Sequence, residues 1–195
     1  FLKKELKMGV SLESDPRKYR WSSPGSISEL QGLLQLDNSM SVKLVAGNTS
    51  TGYYKEEKER KYERFIDIRR LPELTVVRRD EKGVELGAAV TISKAIEVLR
   101  EKENVSMLAK LANHMEKIAS RFVRNTGTLG GNIMMAQRKQ FPSDLTTILV
   151  AARATVKIMS IGSNVQEQFT LEEFLQQPPL DAKSLLVSLM IPSWR

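Results

Sequence analysis

Residues Lys43 to Gly52 read Lys-Leu-Val-Ala-Gly-Asn-Thr-Ser-Thr-Gly, an apolar, β-prone run that stops in small and hydroxyl residues. Gly47 and Gly52 can adopt backbone angles closed to other residues, so successive N–H groups can converge on one point as an anion-binding nest. Asn48, Thr49, Ser50 and Thr51 add short donors without bulk, which predicts a cradle for phosphate oxygens. The Gly47-x-x-x-x-Gly52 spacing matches a triphosphate P-loop, but Tyr53-Tyr54 stand where that motif requires Lys and then Ser or Thr. The loop therefore suits a pyrophosphate that is held and not cleaved. An ordinary strand-to-loop turn would use the same residue types.

A second small-residue stretch, Asn125-Thr-Gly-Thr-Leu-Gly-Gly-Asn132, follows a helical pattern. Its glycines are not spaced Gly-x-Gly-x-x-Gly, so the Rossmann fingerprint is absent and no NAD site is indicated there. Three glycines in eight residues read as a loop, with the short apolar run Ile133 to Ala136 leading into the polar Gln137 to Phe141. Pro142-Ser143-Asp144 then opens a helix to about Ala152, where Ser143 or Asp144 caps the first turn or faces a cofactor. The chain has no cysteine and one histidine, His114, which falls off its helix's apolar stripe and reads as a surface or packing residue. No cysteine- or histidine-based metal site is expected.

The elements around these loops follow from pattern. Tyr19-Arg20-Trp21 is a short strand, and Ser26-x-x-Glu29 is a capping box opening a helix with Ile27, Leu30, Leu33 and Leu34 as its stripe. Val42 to Ala46 is the strand that delivers the first loop, giving a βαβ unit. Phe65 to Ile68 is a further strand. Thr75–Arg79 and Val84–Val90 flank Asp80-Glu-Lys-Gly83 as a hairpin. Thr91 or Ser93 caps a helix to about Lys102, and apolar periodicity predicts another from Val105 to Phe122. Beyond Ala152 the pattern gives a hairpin of Thr155–Ser160 and Val165–Phe169, a capping box at Thr170-x-x-Glu173, and a last strand, Ser184–Ile191.

The 195 residues suffice for one sizeable domain or two small lobes. Net charge is +7, yet the densest basic run, Lys55 to Arg64, interleaves four glutamates and reads as solvated surface rather than a phosphate stripe. Aromatic residues make up only 6%, so a stacking platform is not visible and a basic RNA- or protein-interaction domain is the weaker alternative. No apolar run is long enough to span a bilayer, and the charged first eight residues do not form a signal peptide. The first residue is Phe, so the sequence reads as a piece of a longer chain, with residues 1–18 as a linker.

Taken together, Leu44-Val-Ala-Gly-Asn-Thr-x-x-Gly52 and Arg124-Asn-x-x-Thr-x-Gly-Gly-Asn132, followed by Ser143-Asp-Leu145, closely resemble the FAD domain of the molybdenum hydroxylases, the group containing xanthine dehydrogenase and aldehyde oxidase. Lys43 to Glu56 and Arg138-Lys-Gln-Phe-Pro-Ser-Asp144 look like the plant aldehyde oxidases. The resemblance runs from about Tyr19 to the end. It implies an α+β, two-lobed domain of the vanillyl-alcohol-oxidase (PCMH) type with FAD between the lobes: a small βαβ lobe over residues 19–80, and a larger lobe with a mixed or antiparallel sheet and helices over 81–195. It further implies that Leu44, Val45, Ala46, Gly47, Asn48, Thr49, Ser50 and Thr51 wrap the FAD pyrophosphate. Thr128, Leu129, Gly130, Gly131 and Asn132 would contact the flavin or its ribityl chain, Asp144 would accept hydrogen bonds from it, and Leu186 would pack near its ring. Ile118 stands where animal relatives place an aromatic residue on the flavin. The segment from Asn132 to Asp144 is a few residues longer than in those relatives. A lysine beyond the last strand, and the C-terminal lobe, are missing.

For the whole protein the resemblance implies a molybdenum cofactor and 2Fe-2S clusters in other domains of the same chain, electrons passing through FAD to oxygen, a homodimer, and a cytoplasmic location. Nucleic acid and membrane are not expected partners. The variant reading is a xanthine dehydrogenase-like enzyme that uses NAD.

Overall fold

A computed structural model describes residues 12–14, 19–35, 41–50, 62–100, 107–181 and 183–193, and the chain divides into two compact units, Phe1–Pro72 and Glu73–Arg195. Thr51, Gly52 and most of the charged run from Lys55 lie outside the described residues.

In the first unit, β1 (Leu12–Ser14), β2 (Tyr19–Ser22), β3 (Val42–Val45) and β4 (Arg64–Asp67) form a sheet in the order β1-β2-β4-β3. β2, β4 and β3 run parallel, and β1, which arises within the stretch read as a linker, pairs antiparallel with β2. The helix between β2 and β3, α1 (Ile27–Gln35), starts where Ser26 Oγ accepts from Glu29 N at 3.2 Å. Glu29 reaches one residue further back than a standard box and accepts from Gly25 N at 2.6 Å. Ile27 and Leu30 of α1 are buried, as are Val45, Ile66 and Leu71, and the buried Arg64 donates from Nη2 to Leu33 O at 2.6 Å, tying β4 to α1.

The second unit is built on an antiparallel sheet of β5 (Val77–Asp80), β6 (Gly83–Gly87), β7 (Thr155–Ser160), β8 (Gln166–Thr170) and β9 (Ser184–Pro192), ordered β5-β6-β9-β7-β8. Asp80 Oδ1 closes the β5–β6 hairpin by accepting from Lys82 N at 2.8 Å and Gly83 N at 3.2 Å. Helices α2 (Ile92–Arg100), α3 (Met107–Met115), α4 (Arg121–Thr126), α5 (Leu129–Lys139), α6 (Asp144–Ala151) and α7 (Leu171–Gln176) complete it. The Thr170/Glu173 capping box is present in full. Register shifts between Lys157 and Ile158, so Ser188 pairs with Lys157 but Leu186 pairs with Ile158. This bulge at Val187 turns Leu186 onto the face opposite Ser188, where it is buried.

Two expectations are corrected. The helix expected over Val105 to Phe122 stops at Met115, because Ala119 takes a left-handed angle (φ 51°) and Ser120 caps a new helix by accepting from Val123 N at 3.3 Å. Arg124 Nη1 donates to Ile118 O and Ala119 O at 2.8 and 2.7 Å, which satisfies carbonyls left open by the break. The stretch from Leu129 to Gln137, expected as loop and then short apolar run, is instead one helix, α5, with Thr128 as its N-cap.

Candidate functional site

Parallel strands place their following loops on one edge, and ligands in open α/β sheets sit outside those carboxyl ends where the chain order reverses. In the first unit that edge is well defined. Ser22 pairs with Ile66 and Val45 with Asp67, so the segments after β2, β3 and β4 emerge together. The chain goes from β2 past β4's place to β3 and then returns to the middle of the sheet. The turn after β3 is Ala46-Gly47-Asn48-Thr49-Ser50. Its left-handed residue is Asn48 (φ 52°) and not Gly47, contrary to the assignment from glycine alone. Asparagine tolerates that well because its short side chain clashes little. Among the described residues the N–H groups of Gly47, Thr49 and Ser50 donate to no backbone acceptor. Leu44 is half-buried and Val45 belongs to the core, so these two offer main chain rather than side chain to a ligand.

In the second unit the Thr128 to Asn132 stretch behaves differently. Ile92 N donates to Gly127 O and Leu129 N to Val90 O, both at 3.0 Å, and Gly130 N donates to Ala88 O at 2.9 Å, clamping the start of α5 to the segment after β6. Gly131 N donates to Thr128 Oγ1 at 3.1 Å and Asn132 N to Thr128 O at 3.1 Å. Every N–H of this helix start is therefore engaged inside the protein. Leu129 and Gly130 are buried, and a Cβ on Gly130 would lie 2.6 Å from Ala88 Cβ and 2.8 Å from Ala88 O. Gly130 is thus a packing glycine. The groups left for a ligand are exposed Gly131 and the side chain of half-buried Asn132.

Asn132 joins two helix starts. Its Oδ1 accepts from Ser143 Oγ and, at 3.2 Å, from Thr146 Oγ1, while Ser143 Oγ accepts from Thr146 N at 2.9 Å as the N-cap of α6. The carboxamide oxygen being occupied, its Nδ2 remains available as a donor. Asp144, the first residue of α6, is exposed and lines an open groove of about 290 Å³ with His114, Lys117, Ile118, Thr147 and Ile148. Ile118 and Asp144, both expected near a flavin, are thus brought together, and His114 lies in the same groove rather than apart from it. Lys117, Thr147 and Ile148 escaped the sequence reading, although Asp144, Thr147 and Ile148 share the i, i+3, i+4 spacing of one helical face; Lys117 and Ile118 lie in the turn that follows Met115. A larger groove of about 680 Å³ beside α2 and α4 holds none of the expected residues and is crossed by the Arg100–Glu116 ion pair at 2.5 Å.

Residues 17–194 match the family described as the FAD binding domain in molybdopterin dehydrogenase. The chain belongs to this family. It is 81% identical over 194 residues to an indole-3-acetaldehyde oxidase of Arabidopsis thaliana and 50% identical over 198 residues to the abscisic-aldehyde oxidase of the same plant; both alignments cover the whole chain and 14% of the relative. The chain thus spans about one seventh of the length of these curated relatives. Among solved structures it resembles carbon monoxide dehydrogenase from Hydrogenophaga pseudoflava, with TM-score 0.72 and 26% identity over 93% of this chain and 61% of that one. Quinoline 2-oxidoreductase from Pseudomonas putida 86 shares the fold at TM-score 0.71 and 24% identity, over 93% of this chain and 61% of that one.

As an FAD-binding domain of an oxidoreductase family, the chain presents donor groups that suit the cofactor. The turn after β3 has N–H donors and no bulky side chain, as a pyrophosphate requires. The groove of the second unit has apolar walls at Ile118 and Ile148, a carboxylate acceptor at Asp144 and cationic Lys117, the mixture a flavin edge would use. Among the described residues no group of three or more metal-ligating side chains gathers, and no helix is long and apolar enough to cross a membrane.

Proposed function

We propose that this chain is the flavin station of an aldehyde oxidase, in which FAD accepts electrons from iron–sulfur clusters elsewhere in the protein and delivers them to oxygen. The first unit holds the pyrophosphate with Leu44 to Thr51, the main-chain N–H groups of Gly47, Thr49 and Ser50 serving as donors. Thr128 to Asn132, Asp144 and Leu186 of the second unit address the flavin half: Asn132 donates from Nδ2, Asp144 accepts at an imide or ribityl donor, and Ile118 and Leu186 supply apolar surface. When bound, FAD supplies the redox chemistry. The protein residues orient it and shape the field around it, and none acts as an acid, base or nucleophile.

The observation that carries this reading is the set of N–H groups without a backbone acceptor among the described residues, at a left-handed turn on the carboxyl edge of a parallel sheet. Identity of 81% to an indole-3-acetaldehyde oxidase supports aldehyde chemistry, with the molybdenum and iron–sulfur domains as partners within one homodimeric, cytoplasmic protein. The test is to reduce the intact protein anaerobically with an aldehyde and then admit one acceptor at a time. Reoxidation of the flavin by oxygen but not by NAD supports the oxidase reading; reoxidation by NAD supports the dehydrogenase variant.

A further inference from the structure

The edge that carries the Gly47–Ser50 turn also carries a preorganised cation. Asp67 ends β4 beside Val45, and Ile68 N donates to Val45 O at 2.9 Å, so Arg69 leaves the sheet next to the point where the turn begins. Its guanidinium grips Asp67 at two points, Nε to Oδ1 at 3.0 Å and Nη2 to Oδ2 at 2.7 Å, and its main-chain N–H donates to Oδ1 at 3.0 Å. Asp67 is buried while 53% of the Arg69 side chain is open to solvent, so the cation is the outward member of the pair. Burial opposes ionisation of Asp67, but the hydrogen bonds and charge of Arg69 prevail and hold the carboxyl below the usual carboxylate range. Nη1 of Arg69 makes no hydrogen bond among the described residues. The Ser23 hydroxyl, one residue beyond β2 on this edge, is enclosed and also has no partner among the described residues.

A guanidinium already fixed by a carboxylate loses little further freedom when it meets an anion, and its planar fork suits phosphate oxygens. Here it follows a strand that ends beside the one leading into the turn, on the same edge of the sheet. We propose that Arg69, oriented by Asp67, is the charged contact to the diphosphate of the dinucleotide held by the Gly47–Ser50 turn. This rests on the reading of that turn as the pyrophosphate site.

The test uses the intact protein freed of flavin and titrated with FAD and, separately, with ADP. Arg69→Gln is expected to raise the dissociation constants of both ligands by a common factor of roughly ten or more, and to flatten their dependence on salt. Arg69→Lys, which keeps the charge without the fork, recovers part of the loss. The double variant Asp67→Asn/Arg69→Gln leaves no carboxylate buried without its cation, so it gives the same loss in a protein whose melting temperature is measured alongside. If the Arg69 variants bind both ligands within about twofold of the parent while Gly47→Val does not bind, the Arg69 assignment is overturned and the turn remains the site. If Gly47→Val also binds normally, the reading of the turn fails first.

Discussion

The two glycine-rich stretches look alike in composition and do opposite things. After β3, the N–H groups of Gly47, Thr49 and Ser50 have no backbone acceptor among the described residues, and the left-handed angle belongs to Asn48. At the start of α5 each N–H from Leu129 to Asn132 is engaged, and Gly130 is a glycine because Ala88 leaves no room for a side chain. Open donors suit the first to an anion. Closed donors make the second a rigid clamp that fixes Asn132, and through it the start of α6.

The sharpest way to break this comparison is to add the same side chain to both. Gly130→Val places atoms against Ala88 Cβ and its carbonyl, so it is expected to cost about 2–3 kcal/mol of unfolding free energy in urea, before flavin enters the question. Gly47 has no left-handed angle to lose, so valine there is expected to leave the flavin-free melting temperature nearly unchanged.

Asn132→Ala removes the acceptor shared by Ser143 and Thr146 and is expected to cost about 1–2 kcal/mol by the same measurement. Unchanged stability would mean that the helix starts are not coupled through this side chain. In the first unit, Asn48→Gly should keep the turn, whereas Asn48→Val must strain it by about 1–2 kcal/mol, read as weaker FAD binding in Val but not in Gly.

The smallest effect is electrostatic, and Glu85 of the second unit and Asp67 of the first illustrate it. Burial raises the Glu85 carboxyl, but hydrogen bonds from Lys157 at 3.0 Å and Ser188 at 2.8 Å outweigh it and lower it below the usual range, as Arg69 does for Asp67. In both cases the unfolded chain takes up the proton at higher pH than the folded one. The stabilisation is therefore complete above the ordinary carboxylate range, about pH 4, and is lost as pH falls through the lower folded values. Urea midpoints compared at pH 7 and pH 3.5, with Glu85→Gln as control, are expected to show a smaller drop in the variant.

Much of the architecture was legible because it rests on local rules. The caps at Ser26 and Thr170, the β5–β6 hairpin and the strands delivering the first loop are all set by residues within a few positions of one another. What was not legible depends on distant partners. The apolar repeat continues through Met115 and Ile118, so nothing local announces the break that Arg124 makes tolerable by bonding two carbonyls. Gly130-Gly131 reads as loop because its helix is held by Val90 and Ala88, forty residues away in sequence. The paired motifs pointed to the FAD domain, but the residue carrying the strained angle was misassigned, since Asn48 and Gly47 are both able to take it. Asp67-x-Arg69 acquires meaning only once β4 lies beside β3.

The most direct test of the account is the flavin content of the intact Gly47→Val protein, set against its melting temperature without FAD. The account predicts a folded protein that melts like the parent and lacks the flavin absorbance near 450 nm. Stoichiometric FAD in that variant would contradict it.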